Sequence, residues 1–137
     1  MKVFVDAPLL IYLNTLTDEG LRASYTFFYE SLLSRFKAYT DVLVLDEVLY
    51  VSHRKYGVPY ETSISFIESA VLPYVSVLNL AEREYQVAVE VVKKHEVRPS
   101  DALHVGAMKI NGIELIASED RDFDKIEEIK RLWLGFS

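Results

Sequence analysis

Short apolar runs alternate along the chain with longer segments of helical periodicity. Five runs have the composition of strands: Lys2–Val5, 41–45, Val75–Leu78, 114–117 and 131–134. Apolar residues at three- and four-residue spacing predict helices at 17–37, 60–71, 81–95 and 101–110, with shorter helical segments after Pro8, at 47–56 and at 122–128. Parallel strands need crossovers of about a dozen residues, usually helical, so this alternation predicts an α/β fold with a mostly parallel sheet.

Polar and glycine residues mark where these helices begin and end. The expected N-caps are Thr17 or Asp18, Asp46 and Ser100. Gly57 and the pair Asn111-Gly112 are typical of helix C-termini. No linker, repeat or biased segment divides the chain, which favours a single domain over residues 1–137.

The composition is that of a globular protein: half of the residues are hydrophobic and 26% are charged. A chain of 137 residues can bury roughly 68% of its unfolded surface, enough for its own core. There is no cysteine, so a metal would need oxygen or imidazole ligands, and a reducing cytoplasm is the expected location. No apolar run reaches the ~20 residues that span a membrane, and the N-terminus does not have the pattern of a signal peptide.

The net charge of −6, from 15 basic and 21 acidic residues, argues against a conventional nucleic-acid binder with a basic patch. Bound divalent cations would reverse the sign locally and attract an anionic substrate. The charge therefore leaves nucleic-acid chemistry open only if metal ions take part.

Four acids lie at the ends of predicted elements. Asp6, Glu47 and Asp120 follow strands, and Asp101 begins the helix that precedes the fourth strand. A parallel sheet gathers such positions along one edge, where ligands bind. Clustered carboxylates suit a hard dication such as Mg2+ or Mn2+, although each acid taken alone is also explained as a helix cap or a dipole partner.

Four segments resemble those of PIN-domain ribonucleases, and most closely the small VapC-type toxins of toxin–antitoxin pairs. They are VFVDAPLLIYL, VLVLDEVLYV, RPSDALHVGAM and LIASEDRDFDKI. Their order and spacing agree with the family over essentially the whole chain. One position departs from it, because Pro8 stands where the family commonly has Asn or Ser.

The resemblance implies a three-layer α/β/α sandwich around a parallel sheet of about five strands. It implies that Asp6, Glu47, Asp101 and Asp120 hold Mg2+ or Mn2+ and catalyse hydrolysis of RNA phosphodiesters by an activated water. Asp122 would be an auxiliary acid, and the hydroxyl of Ser118 would orient a carboxylate or a water. A small antitoxin protein and a second copy of the chain are the expected partners.

Two other classes of function are weighed against this one. A PIN domain without catalysis, acting as a protein-interaction module, is favoured by Pro8 and by the acidic charge, whereas retention of the four acids argues against it. An RNA-processing nuclease without an antitoxin is a further alternative within the same fold. The second class is an aspartyl-phosphate protein. A phosphatase of this kind would need an acid at position 8, and a receiver domain would need an Asp where Asn79-Leu80 stand.

Two features have two interpretations each. His104 lies three residues after Asp101 on the same helix, so it either lines the site or packs as a partly buried residue. The segment Tyr25–Tyr29 carries more aromatic surface than one helix face can bury, so it forms either a core stripe or a partner interface.

Overall fold

A five-stranded sheet with every neighbouring pair parallel forms the centre of the protein. The computed structural model describes residues 1–134. The strands are β1 (Lys2–Val5), β2 (Lys37–Asp41), β3 (Val75–Leu78), β4 (Leu115–Ala117) and β5 (Lys130–Leu132), in the spatial order β3-β2-β1-β4-β5. Strand β1 is central, and its residues Val3, Phe4 and Val5 have no exposed surface. The predicted α/β fold is therefore confirmed.

Six α-helices within the described residues connect the strands. They are α1 (Ala7–Thr15), α2 (Glu19–Arg35), α3 (Val42–Tyr56), α4 (Tyr60–Phe66), α5 (Glu82–Lys94) and α6 (Pro99–Ile110). A π-helical turn, Ile67–Val71, continues α4, and a 3-10 turn, Arg121–Lys125, precedes β5. Helix α1 packs on α2 and α3, α3 packs on α4, and α5 packs on α6, which gives the α/β/α layers. None of the helices in this part of the chain combines the length and apolar character needed to cross a bilayer.

The predicted second strand, 41–45, is wrong, and so is the predicted start of the next helix at Glu47 with Asp46 as its cap. Strand β2 ends at Asp41, and α3 begins at Val42. The Oδ1 atom of Asp41 accepts the N–H of Val44 at 3.1 Å, which caps the helix. A short apolar run does not distinguish a strand from a buried helix turn, and here the cap decides for the helix.

Other boundaries agree more closely with the predictions. Asp18 caps α2, and Gly57 ends α3 with a φ of 70°. Ser100 was predicted to cap the helix of Asp101, which is wrong. The N-cap is Arg98, and Pro99 fills the first turn, where the ring costs no hydrogen bond. Helix α6 consequently starts two residues earlier than predicted.

Helices α5 and α6 touch at their backbones through Gly106. A Cβ atom at this position would lie 2.6 Å from the carbonyl oxygen of Glu84 and 3.3 Å from the amide nitrogen of Ala88. No side chain fits that gap unless the two helices move apart. The contact matters for the site described below, because α6 carries Asp101 and His104.

The substitution Gly106→Ala is expected to lower the free energy of unfolding by about 1–3 kcal/mol, because the added methyl group collides with the backbone of α5. Urea denaturation followed by circular dichroism measures the change. Gly20→Ala in α2 is the matched control, since its Cβ would meet only the carboxylate oxygen of Asp18 at an ordinary 3.4 Å. The control is expected to be neutral or slightly stabilising. Equal stability of the two variants would contradict the packing described here.

Candidate active site

Polar side chains follow three neighbouring central strands at the carboxyl edge of the sheet. Asp6 follows β1, Asp41 ends β2 and Ser118 follows β4. The sheet order places β1 between β2 and β4, and the N–H of Asp6 donates to the carbonyl of Ala117 at 3.1 Å. This is the edge where open α/β sheets bind their ligands.

The Asp6 carboxylate is buried and held in place by neighbouring side chains. The hydroxyl of Ser118 donates a 2.6 Å hydrogen bond to Asp6 Oδ2. On the other side, His104 Nε2 lies 3.8 Å from Asp6 Oδ1. Ser118 also accepts the N–H of Asp120 at 3.1 Å, so one hydroxyl links two of the predicted acids. These contacts orient the Asp6 carboxylate before any ligand arrives.

His104 and Asp41 form a buried pair next to Asp6. His104 Nδ1 lies 2.6 Å from Asp41 Oδ2, and both side chains are almost fully buried. Burial lowers the pKa of His104, but the hydrogen bond and charge of Asp41, together with the charges of Asp6 and Asp101, outweigh it and raise the pKa overall. His104 is therefore a buried residue beside the Asp6 carboxylate, and its part in a functional site stays a prediction.

Asp101 and Asp120 lie close to each other, with one arginine between them. Arg98 Nε is 3.3 Å from Asp101 Oδ2, and Arg98 Nη2 is 3.4 Å from Asp120 Oδ2. Asp101 is buried in the first turn of α6. Burial raises its pKa to about 6; Arg98 opposes the rise, and the charges of Asp6 and Asp120 add to it.

Glu47 and Asp122 occupy different surroundings. Glu47 is half-buried in α3, and its pKa is raised by burial and then by the charge of Asp6, whereas Arg98 and His104 oppose the rise. Its place among the metal ligands stays a prediction. The side chain of Asp122 is 45% exposed and pairs with Lys125 at 3.3 Å. Its backbone N–H donates to Asp120 Oδ1 at 2.9 Å, which makes Asp120 the cap of the 3-10 turn. The auxiliary role of the Asp122 carboxylate stays a prediction.

Within residues 1–134, no three of these side chains are already arranged as the ligands of a metal ion. Oxygen atoms of three of these acids already contact other side chains. Ser118 holds one oxygen of Asp6, and Arg98 holds one oxygen each of Asp101 and Asp120. The donor set nevertheless fits a hard dication, since it consists of carboxylate oxygens. Burial, and after it the charges of neighbouring acids, raises the pKa of Asp101 and Glu47.

Two residues of this site, Asp41 and Arg98, were not predicted from the sequence. Asp41 was placed at the start of a strand, although an acid followed by Val42 to Val44 also has the pattern of an N-cap. Arg98 precedes Asp101 by three residues, a spacing that places the two on one face of a helix turn. That spacing could have revealed its contact with Asp101. The contact with Asp120, 22 residues away, depends on the fold.

Comparisons with known proteins agree with this architecture. A family model described as PIN domain matches residues 3–129. The crystal structure of VapC20 from Mycobacterium tuberculosis, a sarcin-ricin loop cleaving toxin, is similar with a TM-score of 0.71 at 19% identity, covering 89% of this chain and 92% of that one. VapBC2 from Rickettsia felis, bound to a promoter DNA fragment, gives 0.72 at 14% identity and covers 97% and 98%. DNA-bound VapBC from Salmonella typhimurium gives 0.71 at 16% identity and covers 98% of both chains. No curated protein matches significantly.

Replacing Asp101 with Asn is expected to stabilise the metal-free protein at pH 8 by about 1–3 kcal/mol. The folded-state pKa of about 6 lies above the ordinary value of 3.8. The folded protein therefore holds a proton between these values that the unfolded chain releases, and stability falls as the pH rises through 6. The Asn variant does not lose stability in this way, so its stability advantage over the wild type should be smaller at pH 5 than at pH 8. Urea midpoints at the two pH values test this, with Asp122→Asn as the more exposed control. An advantage equal at both pH values would refute it.

Replacing Asp41 with Asn is expected to cost about 2–4 kcal/mol of stability, because it leaves His104 buried without its anionic partner. Asn retains the ability to cap a helix, so the loss comes from the charge rather than the cap. Asp18→Asn is the matched control, since Asp18 caps α2 through the N–H of Leu21 at 2.9 Å. Thermal unfolding of the two variants should differ clearly. A loss at Asp41 as small as that at Asp18 would show that the pair with His104 contributes little.

Proposed function

The chain belongs to the PIN domain family, and we propose that it is a metal-dependent endoribonuclease, the toxin of a toxin–antitoxin pair. The observation that carries the proposal is the grouping of Asp6, Glu47, Asp101 and Asp120 at one edge of the sheet, with the pKa of two of them raised by burial and by neighbouring acids. Such crowded carboxylates call for positive charge, and a dication supplies it.

The buried acids Asp6 and Asp101 are the residues we assign to the cation, with Asp120 and Glu47 completing the donor set at the rim. When bound, Mg2+ or Mn2+ would lower the pKa of a water and offset the negative charge that develops on a scissile phosphate. Ser118 and His104 fix the Asp6 carboxylate from opposite sides, so it need not reorganise on binding.

The partners are proposed from the relatives and from the surface. VapC20 is named as a toxin, and the two VapBC structures are named as bound to DNA. We assign to this chain an antitoxin partner and a homodimeric state. The side chain of Phe27 in α2 is 74% exposed, which supports a partner surface on the aromatic helix, while Tyr29 from the same segment is buried. The core interpretation therefore holds for Tyr29, and the partner surface at Phe27 remains part of this proposal.

A second candidate is an interaction module that keeps the fold without the chemistry. Two observations favour it: no ready-made ligand cluster exists in the described part of the chain, and Pro8 lies in the first turn of α1, two residues after Asp6. Because a proline nitrogen has no hydrogen and its side chain has no polar group, this position cannot donate a bond to Asp6. Cleavage of RNA separates this candidate from the nuclease.

Purified protein incubated with RNA and Mn2+ is expected to cut internal phosphodiester bonds, and EDTA should stop the reaction. Asp6→Asn is expected to reduce the rate by a factor on the order of 100 or more, because cation binding and water activation fail together. Asp46→Asn is the control, an exposed acid on α3 one residue before Glu47, and it should keep full activity. Fragments resolved by sequencing gels provide the measurement. Activity that survives both EDTA and the loss of the Asp6 charge would overturn the proposal.

A further inference from the structure

Arg98 is the residue that joins two of the acids in the absence of a metal ion. Its side chain is 63% exposed, whereas that of Asp101 is 4% exposed and that of Asp120 is 26% exposed. The guanidinium uses two different nitrogens, Nε toward Asp101 and Nη2 toward Asp120. One cation thus connects the start of α6 to the loop after β4.

The oxygen atoms that Arg98 contacts are ones that a dication would need. Both contacts end on Oδ2, and the Oδ1 atom of Asp120 already accepts the N–H of Asp122. A guanidinium and a dication between the same two carboxylates would repel each other at a few ångströms. The two cations therefore exclude one another from these oxygens.

We propose that Arg98 is an internal counter-ion that competes with the divalent cation for Asp101 and Asp120 and leaves them when the cation binds. This inference rests on the proposed function. In the metal-free protein Arg98 offsets the negative charge of both carboxylates.

The local structure allows such a movement. The backbone of Arg98 is fixed as the N-cap of α6, where its carbonyl accepts the N–H of Ala102 at 3.0 Å. The side chain is mostly solvated, and its departure breaks two long ion pairs. The pair with the more exposed Asp120 contributes little. The buried Asp101 would keep a cationic partner, because the dication takes the place of the guanidinium. The arginine can therefore leave while α6 and Asp101 stay in place.

Calorimetric titration with Mn2+ compares the wild type with Arg98→Gln and Arg121→Gln. Loss of the competitor is expected to tighten Mn2+ binding by about 3- to 10-fold in Arg98→Gln. Arg121 is exposed and follows Asp120 directly, so Arg121→Gln removes the same charge from the neighbourhood and is expected to change the affinity by less than about 2-fold. Equal tightening in the two variants would reduce the effect to net charge and overturn the inference.

A second measurement follows the arginine itself. The Nε–H resonance of Arg98, assigned by its absence from Arg98→Gln, is expected to shift when Mg2+ is added to the wild type. An unchanged resonance at saturating Mg2+ would overturn the inference, because the guanidinium would then have kept its partners. The results distinguish a failure of this inference from a failure of the proposed function. RNA cleavage that depends on Mn2+, together with equal Mn2+ affinity in wild type and Arg98→Gln, rejects only the role of Arg98. Absence of Mn2+ binding in every variant rejects both proposals.

Discussion

The arrangement of this protein depends on one electrostatic constraint: carboxylates taken out of water at the carboxyl edge of a sheet must meet positive charge. Asp6, Asp41 and Asp101 are buried there. Two side chains of the protein supply the compensation, His104 toward Asp41 and Asp6, and Arg98 toward Asp101 and Asp120. Without them, the buried negative charges would have no cationic side chain beside them, which is costly in a protein interior.

The fold makes this crowding possible and also limits it. The three central strands all point their carboxyl ends at the same edge, so residues far apart in the chain meet there without any long loop. Helix α6 adds Asp101 from a second layer, and the close backbone contact at Gly106 fixes where that helix lies on α5. Asp41, Glu47 and Asp101 lie in regular elements and Asp6 lies between β1 and α1, whereas Asp120 lies in the loop after β4. Rigid elements hold most of these charged groups at fixed separations.

The sequence predicted the sheet and most helices, because these depend on local periodicity. The four acids were proposed from the rule that ligands bind at strand ends, and their role stays a prediction. The secondary-structure prediction was wrong where one local pattern is compatible with both a strand and a helix. The run after Asp41 has the composition of a strand but forms the first turn of α3, so the acid that ends β2 is Asp41 and not Glu47. Glu47 lies in the second turn of α3, and its role as a ligand stays a prediction. The pairing of His104 with Asp41, 63 residues apart, is tertiary and has no local signal.

The two outer strands of the sheet bear on how the molecule can meet other chains. Strand β5 is three residues long and carries Lys130 and Arg131, and β3 is four residues long. Short edge strands with charged side chains are poor templates for backbone pairing with another polypeptide. The edges of the sheet are therefore poor sites for strand addition, and a partner surface on α2, where Phe27 is exposed, would not depend on pairing with the sheet.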